Sequence, residues 1–278
     1  MRQIIWAVIK SIITLVFIIV FMAAVPFTRL PVSMLIMQIN NIYQGAGDLT
    51  ETQGIEIDMP SGRLSDDQVW YPFLMSYNAG DGFSKASGEN IDLTILYNFA
   101  SYDALRGGSR FFEKGSPYNG AFYGAYLIKE ESDPFTYMFN EEGAVIKGSA
   151  LEIAKYDYLN LVIRGLGAPH QALVFDQDAD LMISRNFGGY EWTEISAKGK
   201  CTSPSHEFQS FQLGYLQFGL PYGKNPADFE EISMHSRVWV TKIKEKNTTL
   251  VLYAMTPDPS YLEAMSQKII YETNVVLN

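Results

Sequence analysis

The sequence predicts an α+β fold in which a single N-terminal transmembrane helix precedes a domain with a mixed, mainly antiparallel sheet and packed helices. Three observations lead to this prediction: a long apolar run at the amino terminus, several strand-like segments joined by turns, and two segments with helix start signals. The chain has 278 residues, of which 47% are hydrophobic and 19% charged. This composition is too apolar for a disordered chain and too mixed for a polytopic membrane protein.

The first element is an apolar run from Ile4 to Val25, interrupted only by one lysine, one serine and one threonine. As a helix, this run would be about 33 Å long, which is enough to cross the hydrocarbon core of a bilayer. A cleaved signal peptide is the alternative interpretation, but the small residues at the end of the run lie between Met and Pro and form a poor cleavage site. We therefore predict a membrane anchor, or uncleaved signal sequence, over residues 1–29.

The flanking charges predict the orientation of this anchor. Arg2 and Lys10 precede the apolar core, whereas Arg29 follows it and the next cation is Arg63. By the positive-inside rule, this excess predicts a single-pass protein of the cytoplasmic membrane, with the N-terminus inside and the C-terminal domain outside, in the periplasm or extracellular space. The cleaved alternative exports the same domain.

Residues 30–62 are interpreted as a juxtamembrane helix followed by a linker. The apolar residues between Leu30 and Tyr43 have a spacing compatible with a helix that lies near the membrane or packs on the domain. The stretch 45–62 is rich in Gly, Thr, Asp and Glu, as is typical of an extended loop. The exported α+β domain is then predicted over residues 63–278.

Six segments of this domain have the composition of strands. A turn at residues 245–247 joins the last two into a hairpin that leads into a C-terminal helix. The aromatic residues of the second segment are spread over both of its faces, as in a strand that is covered on both sides. The six segments are Ile91–Phe99, Ala121–Ile128, Gln171–Phe175, Leu181–Arg185, Arg237–Ile243 and Thr249–Met255.

Two helices carry start signals. Ser149 and Glu152 match a capping box, which predicts a helix that begins at Ser149 and ends near Gly165. Asp258 followed by Pro259 predicts the start of the C-terminal helix, because Pro suits the first helical position. The apolar face of this helix is predicted at Leu262, Met265 and Ile269 and onward to Val275.

Charge and cysteine content argue against several classes of site. With 21 basic and 31 acidic residues, the chain has a net charge of −10, whereas a nucleic-acid binder needs a surplus of Lys and Arg. The single cysteine, Cys201, excludes an internal disulfide and a cysteine-based zinc cluster. Asp176, Asp178 and Asp180 begin like a calcium loop but lack its Gly and its final Glu. We therefore expect no metal and no cofactor.

Candidate catalytic residues are few. The histidines His170, His206 and His235 are too far apart in sequence to form a helical metal pair, and no Gly-x-Ser-x-Gly, Walker or dinucleotide glycine pattern occurs. They are weak candidates for the base of a hydrolase without a preferred nucleophile, Cys201 beside His206 being one option. Because no catalytic constellation is evident, the sequence favours a protein that is not an enzyme.

Aromatic residues make up 14% of the chain and concentrate beside glycines in residues 118–126. If they are exposed, Tyr118, Phe122 and Tyr123 are weak candidates for a ligand- or partner-binding surface. The alternative is that they lie in the core of the sheet.

These observations predict a membrane-anchored extracytoplasmic protein that binds another component of the cell envelope. Its expected partners are membrane lipid, through the N-terminal helix, and an envelope protein. The part beyond Val25 keeps 19 basic and all 31 acidic residues, so it has a charge of about −12 and attracts cationic partners. The alternative function is an exported hydrolase that acts on an envelope ester, peptide or glycan.

Overall fold

The structure is a computed structural model that describes residues 2–24, 54–58, 75–78, 85, 91–99, 115, 119–130, 137–159, 173–176, 181–206 and 229–278. Within these ranges the predicted fold class is confirmed in part: the chain has an α+β mix with a mainly antiparallel sheet and few helices. In chain order the elements are α1 (Arg2–Ala24), β1 (Ile55–Asp58), β2 (Met75–Asn78), β3 (Ile91–Phe99), β4 (Phe122–Glu130), α2 (Lys147–Asp157), β5 (Leu173–Phe175), β6 (Leu181–Phe187), β7 (Tyr190–His206), β8 (Phe229–Ile243), β9 (Thr248–Thr256), α3 (Pro259–Glu272) and β10 (Asn274–Leu277).

The apolar run at the amino terminus forms α1, as its sequence predicts. All the α1 side chains that the structure describes are exposed, including large apolar ones such as Trp6 and Phe17. Measured by length and hydropathy together, none of the helices in the described ranges qualifies to cross a membrane, so the predicted transmembrane span is not supported. The predicted juxtamembrane helix lies outside the described residues, whereas residues 55–58 of the predicted linker form β1.

Most strands join one antiparallel sheet in the order β2-β3-β4-β9-β8-β7. The long strand β7 then pairs with two short strands in succession, β6 along its first half and β5 further on. The predicted hairpin is confirmed: β8 and β9 pair from Ile243 with Thr248 to His235 with Thr256. Asn247 closes the turn in the left-handed conformation, with φ of 46°, which Asn tolerates better than most residues.

Both faces of the sheet are covered, and each is named here by the helix that packs on it. On the α3 face, α3 packs on β8 and β9, and the two-stranded ribbon of β1 and β10 contributes to the same apolar cluster, with Ile55 and Val275 buried. On the α2 face, Tyr158 at the end of α2 lies on Cys201 of β7. Tyr123 and Tyr126 of β4 are both fully buried and point to opposite faces. The prediction of a strand covered on both sides is therefore confirmed for β4.

Of the two predicted helices, α3 begins where its sequence signal predicts, whereas α2 does not. Asp258 caps α3 as predicted, since its side chain accepts hydrogen bonds from the backbone N–H groups of Ser260 at 2.8 Å and Tyr261 at 3.0 Å. The predicted apolar face is buried, but α3 ends at Glu272, and Val275 belongs to β10 instead. The predicted capping box is wrong, because α2 begins at Lys147 after Ile146, which provides no side-chain cap.

Candidate functional site

A cleft of about 760 Å³ opens where the turn between β6 and β7 and the end of β8 meet the segment 137–146. This volume is in the range of sites that hold a small molecule or a short peptide segment. The cleft is the candidate functional site of the residues that the structure describes.

The floor of the cleft is the α2 face of three adjacent strands. Ser184 of β6 pairs with Thr193 of β7, which in turn pairs with Val240 of β8. Because residues two apart in a strand point to the same face, Glu191 and Lys242 extend this row toward the end of the sheet. The floor therefore places hydroxyl, carboxylate, apolar and ammonium groups side by side.

The turn between β6 and β7 shapes one rim of the cleft. Gly188 and Gly189 have φ of 58° and 82°, as a two-residue type I′ hairpin turn requires at both central positions. The sequence contains this signal, a Gly-Gly pair between two strand segments, and β6 continues to Phe187, two residues beyond the predicted strand end at Arg185. Recognising the hairpin would have placed Glu191 beside Ser184.

The opposite wall is a short loop closed by the isolated bridge between Phe139 and Val145. The side chain of Asn140 supports the loop by accepting hydrogen bonds from the backbone N–H groups of Glu142 at 3.1 Å and Ala144 at 2.8 Å. Phe139 and Val145 thus face the strand floor from a loop that its own hydrogen bonds hold together.

The charged groups of the lining differ in how they are paired. Ser184 Oγ donates a hydrogen bond of 2.8 Å to Glu191 Oε1, and Thr241 Oγ1 donates one of 2.8 Å to the backbone oxygen of Glu191. Neither Lys242 nor Lys244 forms an ion pair within 4.0 Å with any described residue. The lining therefore carries two ammonium groups without a carboxylate partner in the described part of the chain.

Tyr190 lies at the rim beside the glycine turn. Partial burial, and secondly the negative charge of Glu245, raise the pKa of the Tyr190 phenol above its usual value. The phenol therefore stays protonated at neutral pH and can donate a hydrogen bond to an occupant of the cleft.

A partly buried ion network, centred on the buried Glu194, lies on the other face of the same strands. Glu194 Oε2 accepts hydrogen bonds of 2.9 Å from both Arg185 Nε and Trp239 Nε1. Arg237 Nε lies 3.6 Å from Glu194 Oε1, and Arg237 Nη2 reaches Glu263 of α3 at 2.6 Å. Since its charges are largely paired, we interpret this network as structural.

Of the three predicted histidines, His235 is the one whose side chain lies among the described residues. It lies on β8 in register with Lys198 and Thr256, on the α3 face and about 16 Å along the strand from Val240 of the cleft. Burial, and secondly the charge of Lys198, lower its pKa. His206 ends β7 opposite Phe229, without a described side chain, and His170 lies outside the described residues.

Cys201 does not provide a reactive thiol. It is fully buried on the α2 face, its Sγ lies 3.4 Å from the hydroxyl of Tyr158, and burial raises its pKa to about 12. The thiolate, which is the nucleophilic form, is therefore scarce at neutral pH.

The predicted aromatic surface is not assembled in the described residues. Tyr123 is fully buried in the core on the α3 face. Phe122 begins β4 opposite Phe99 and Met255, without a described side chain, and Tyr118 lies outside the described residues. For Tyr123 the core alternative is the correct one.

No protein-family model, curated protein or solved structure matches this chain. The described residues also contain no group of three or more His, Cys, Asp or Glu side chains that could hold a metal ion.

Proposed function

We propose that this chain is a membrane-attached, extracytoplasmic binding protein that holds part of another envelope protein in the cleft. The observation that carries the proposal is the cleft itself, which combines an open volume, an apolar wall and two lysines that form no ion pair with any described residue. Sites that bind partners share this mixture of apolar surface and a few polar groups.

The proposed membrane attachment rests on α1 and on the charge pattern around it. Large apolar side chains are exposed along α1, and their burial in lipid would be favourable by about 25 cal/mol for each Å² removed from water. Arg2 and Lys10 before the apolar core support an orientation with the amino terminus in the cytoplasm. We propose that the domain that follows acts outside the cytoplasmic membrane.

The experiment is affinity capture from membranes solubilised in mild detergent, with the partner identified by mass spectrometry. Thr193→Phe places a ring on the floor of the cleft and is expected to abolish capture. Ser233→Phe adds the same ring at an exposed position of β8 outside the cleft and is the matched control. Equal recovery of the partner with both variants, at unchanged melting temperature, would overturn the proposal.

The second candidate function is an exported hydrolase, and the pair formed by Ser184 and Glu191 favours it. A serine hydroxyl 2.8 Å from a carboxylate in an open cleft has the geometry of a nucleophile and a base. A carboxylate is a weaker base than the imidazole that usually activates a serine, which places this candidate second. Ester hydrolysis by the purified chain that Ser184→Ala abolishes would establish it in place of the binding function.

A further inference from the structure

We infer that the cleft binds a carboxylate carried next to an apolar group on a segment of the partner protein, with the ammonium groups of Lys242 and Lys244 as its anion-binding groups. This inference rests on the proposed function and adds the chemistry of the bound segment.

The apolar part of the lining comes from both the wall loop and the strand floor. Phe139 and Val145 contribute one wall, and Met182 and Val240 contribute to the strand floor. Met182 is 42% exposed, so water covers apolar surface here until an occupant displaces it. An apolar side chain of a partner would gain from this contact.

The cations lie at the β8 end of the cleft. Lys242 is on the strand floor, and Lys244 follows in the 3-10 turn after β8. Neither has a carboxylate within 4.0 Å among the described residues, whereas some other described lysines, such as Lys200 with Glu231, are paired. Two ammonium groups beside an apolar wall match a carboxylate beside an apolar group.

The two acids of the lining form no ion pair within 4.0 Å with these cations. Glu191 already accepts a hydrogen bond from Ser184, and Glu245 is the acid whose charge acts on Tyr190. The lysine ammonium groups can therefore pair with one bound carboxylate, whereas the two acids would repel a second anionic group. The cleft is thus suited to one carboxylate and not to a run of them.

The charge of the whole molecule restricts the ligand further. With a net charge of −10, the chain repels extended polyanions such as nucleic acids. A single carboxylate that enters the cleft meets the lysines at short range, where local pairing outweighs the screened field of distant acids. The predicted ligand is therefore a short apolar segment with one carboxylate.

The test uses the full chain in detergent, titrated with phenylacetate and with its neutral isostere phenylacetamide, and followed by calorimetry. We expect phenylacetate to bind at least about fivefold more tightly, and the double variant Lys242→Gln and Lys244→Gln to remove this preference. Lys129→Gln, an exposed strand lysine outside the lining, is the control and should keep it. Equal affinities of the original chain for the two probes would overturn the inference.

Two peptides identify the source of the carboxylate. Acetyl-Leu-Phe carries it at the chain end, whereas acetyl-Glu-Phe-amide carries it on a side chain, and the tighter binder indicates which the partner presents.

Failure of the two proposals is distinguishable. If Thr193→Phe abolishes partner capture but the double lysine variant captures normally, the binding function stands and the carboxylate inference is overturned. Capture by Thr193→Phe at the original level overturns the binding function itself.

Discussion

At the scale of single residues, close contacts decide where side chains can and cannot be tolerated. Glu194 is 2% exposed and binds donors from β6 and β8, so its carboxylate joins three neighbouring strands. Gly199, in contrast, lies where no side chain can be tolerated, because the neighbouring strand β5 leaves no room for one. A Cβ atom at this position would lie 2.2 Å from the backbone oxygen of Val174.

The first prediction concerns Gly199. Gly199→Ala should destabilise the protein by about 1–3 kcal/mol, because backbone rather than a flexible side chain must move to admit the methyl group. Gly148→Ala is the matched control: it lies in α2 with no atom within 4 Å of the added Cβ, and alanine favours helix. Chemical denaturation would compare the two, and equal stabilities would contradict the steric argument.

At the scale of elements, local sequence signals predicted the bounds of some helices and turns correctly and those of others incorrectly. The signals around Asp258 and Asn247 act within a few residues, so the start of α3 and the turn between β8 and β9 were predictable. The start of α2 was not, because the preceding loop fixes it: Ile146 N–H donates to the backbone oxygen of Met138 and the helix begins directly afterwards. The cleft was missed because no motif marks it and three strands and a loop assemble it.

The second prediction concerns the cap of α3. Asp258→Ala removes the acceptor of two backbone hydrogen bonds and should cost about 1 kcal/mol of stability. Asp258→Asn keeps an acceptor at the same place and should retain most of the stability. Thermal unfolding of both variants measures the difference, and equal losses would show that the hydrogen bonds are not the cause.

The third prediction concerns pH and the contact of α3 with the sheet. Hydrogen bonds from Gln267 and then Arg237 lower the pKa of Glu263. Its ionised form therefore contributes stability above the unfolded pKa, near 4.5, and this contribution is lost as the pH falls through the lower folded value. Glu263→Gln should reduce the dependence of the melting temperature on pH below 5. An unchanged pH profile would contradict the assignment.

At the scale of the whole molecule, the sheet path and the packing of a helix on each face follow from apolar patterning. The pairing of β1 with β10 could not be predicted in this way. Each strand has four residues, too few for a clear alternation, and the partners come from opposite ends of the domain. Pairing at such sequence separation leaves no local signal, which is why β1 lies within a stretch predicted as linker.

The fourth prediction tests this ribbon. Val275 of β10 is buried in the main cluster opposite Ile57, whereas its neighbour Val276 is 40% exposed. Val275→Thr buries a hydroxyl group and should cost about 1–3 kcal/mol, while Val276→Thr should change stability by less than about 0.5 kcal/mol. Denaturant titration would compare them, and similar small effects would mean that the ribbon contributes little to the fold.

The ribbon also constrains the order in which the parts of the chain can fold during synthesis. Synthesis proceeds from the amino terminus, so β1 is made early, yet its partner β10 follows every other described element. Until β10 has been made, Ile55 and Ile57 lack the strand with which they pair in the folded domain, and closing so long a loop is slow. The apolar side chains of β1 therefore stay exposed during most of synthesis, and exposed apolar strands of this kind are what a holding chaperone binds.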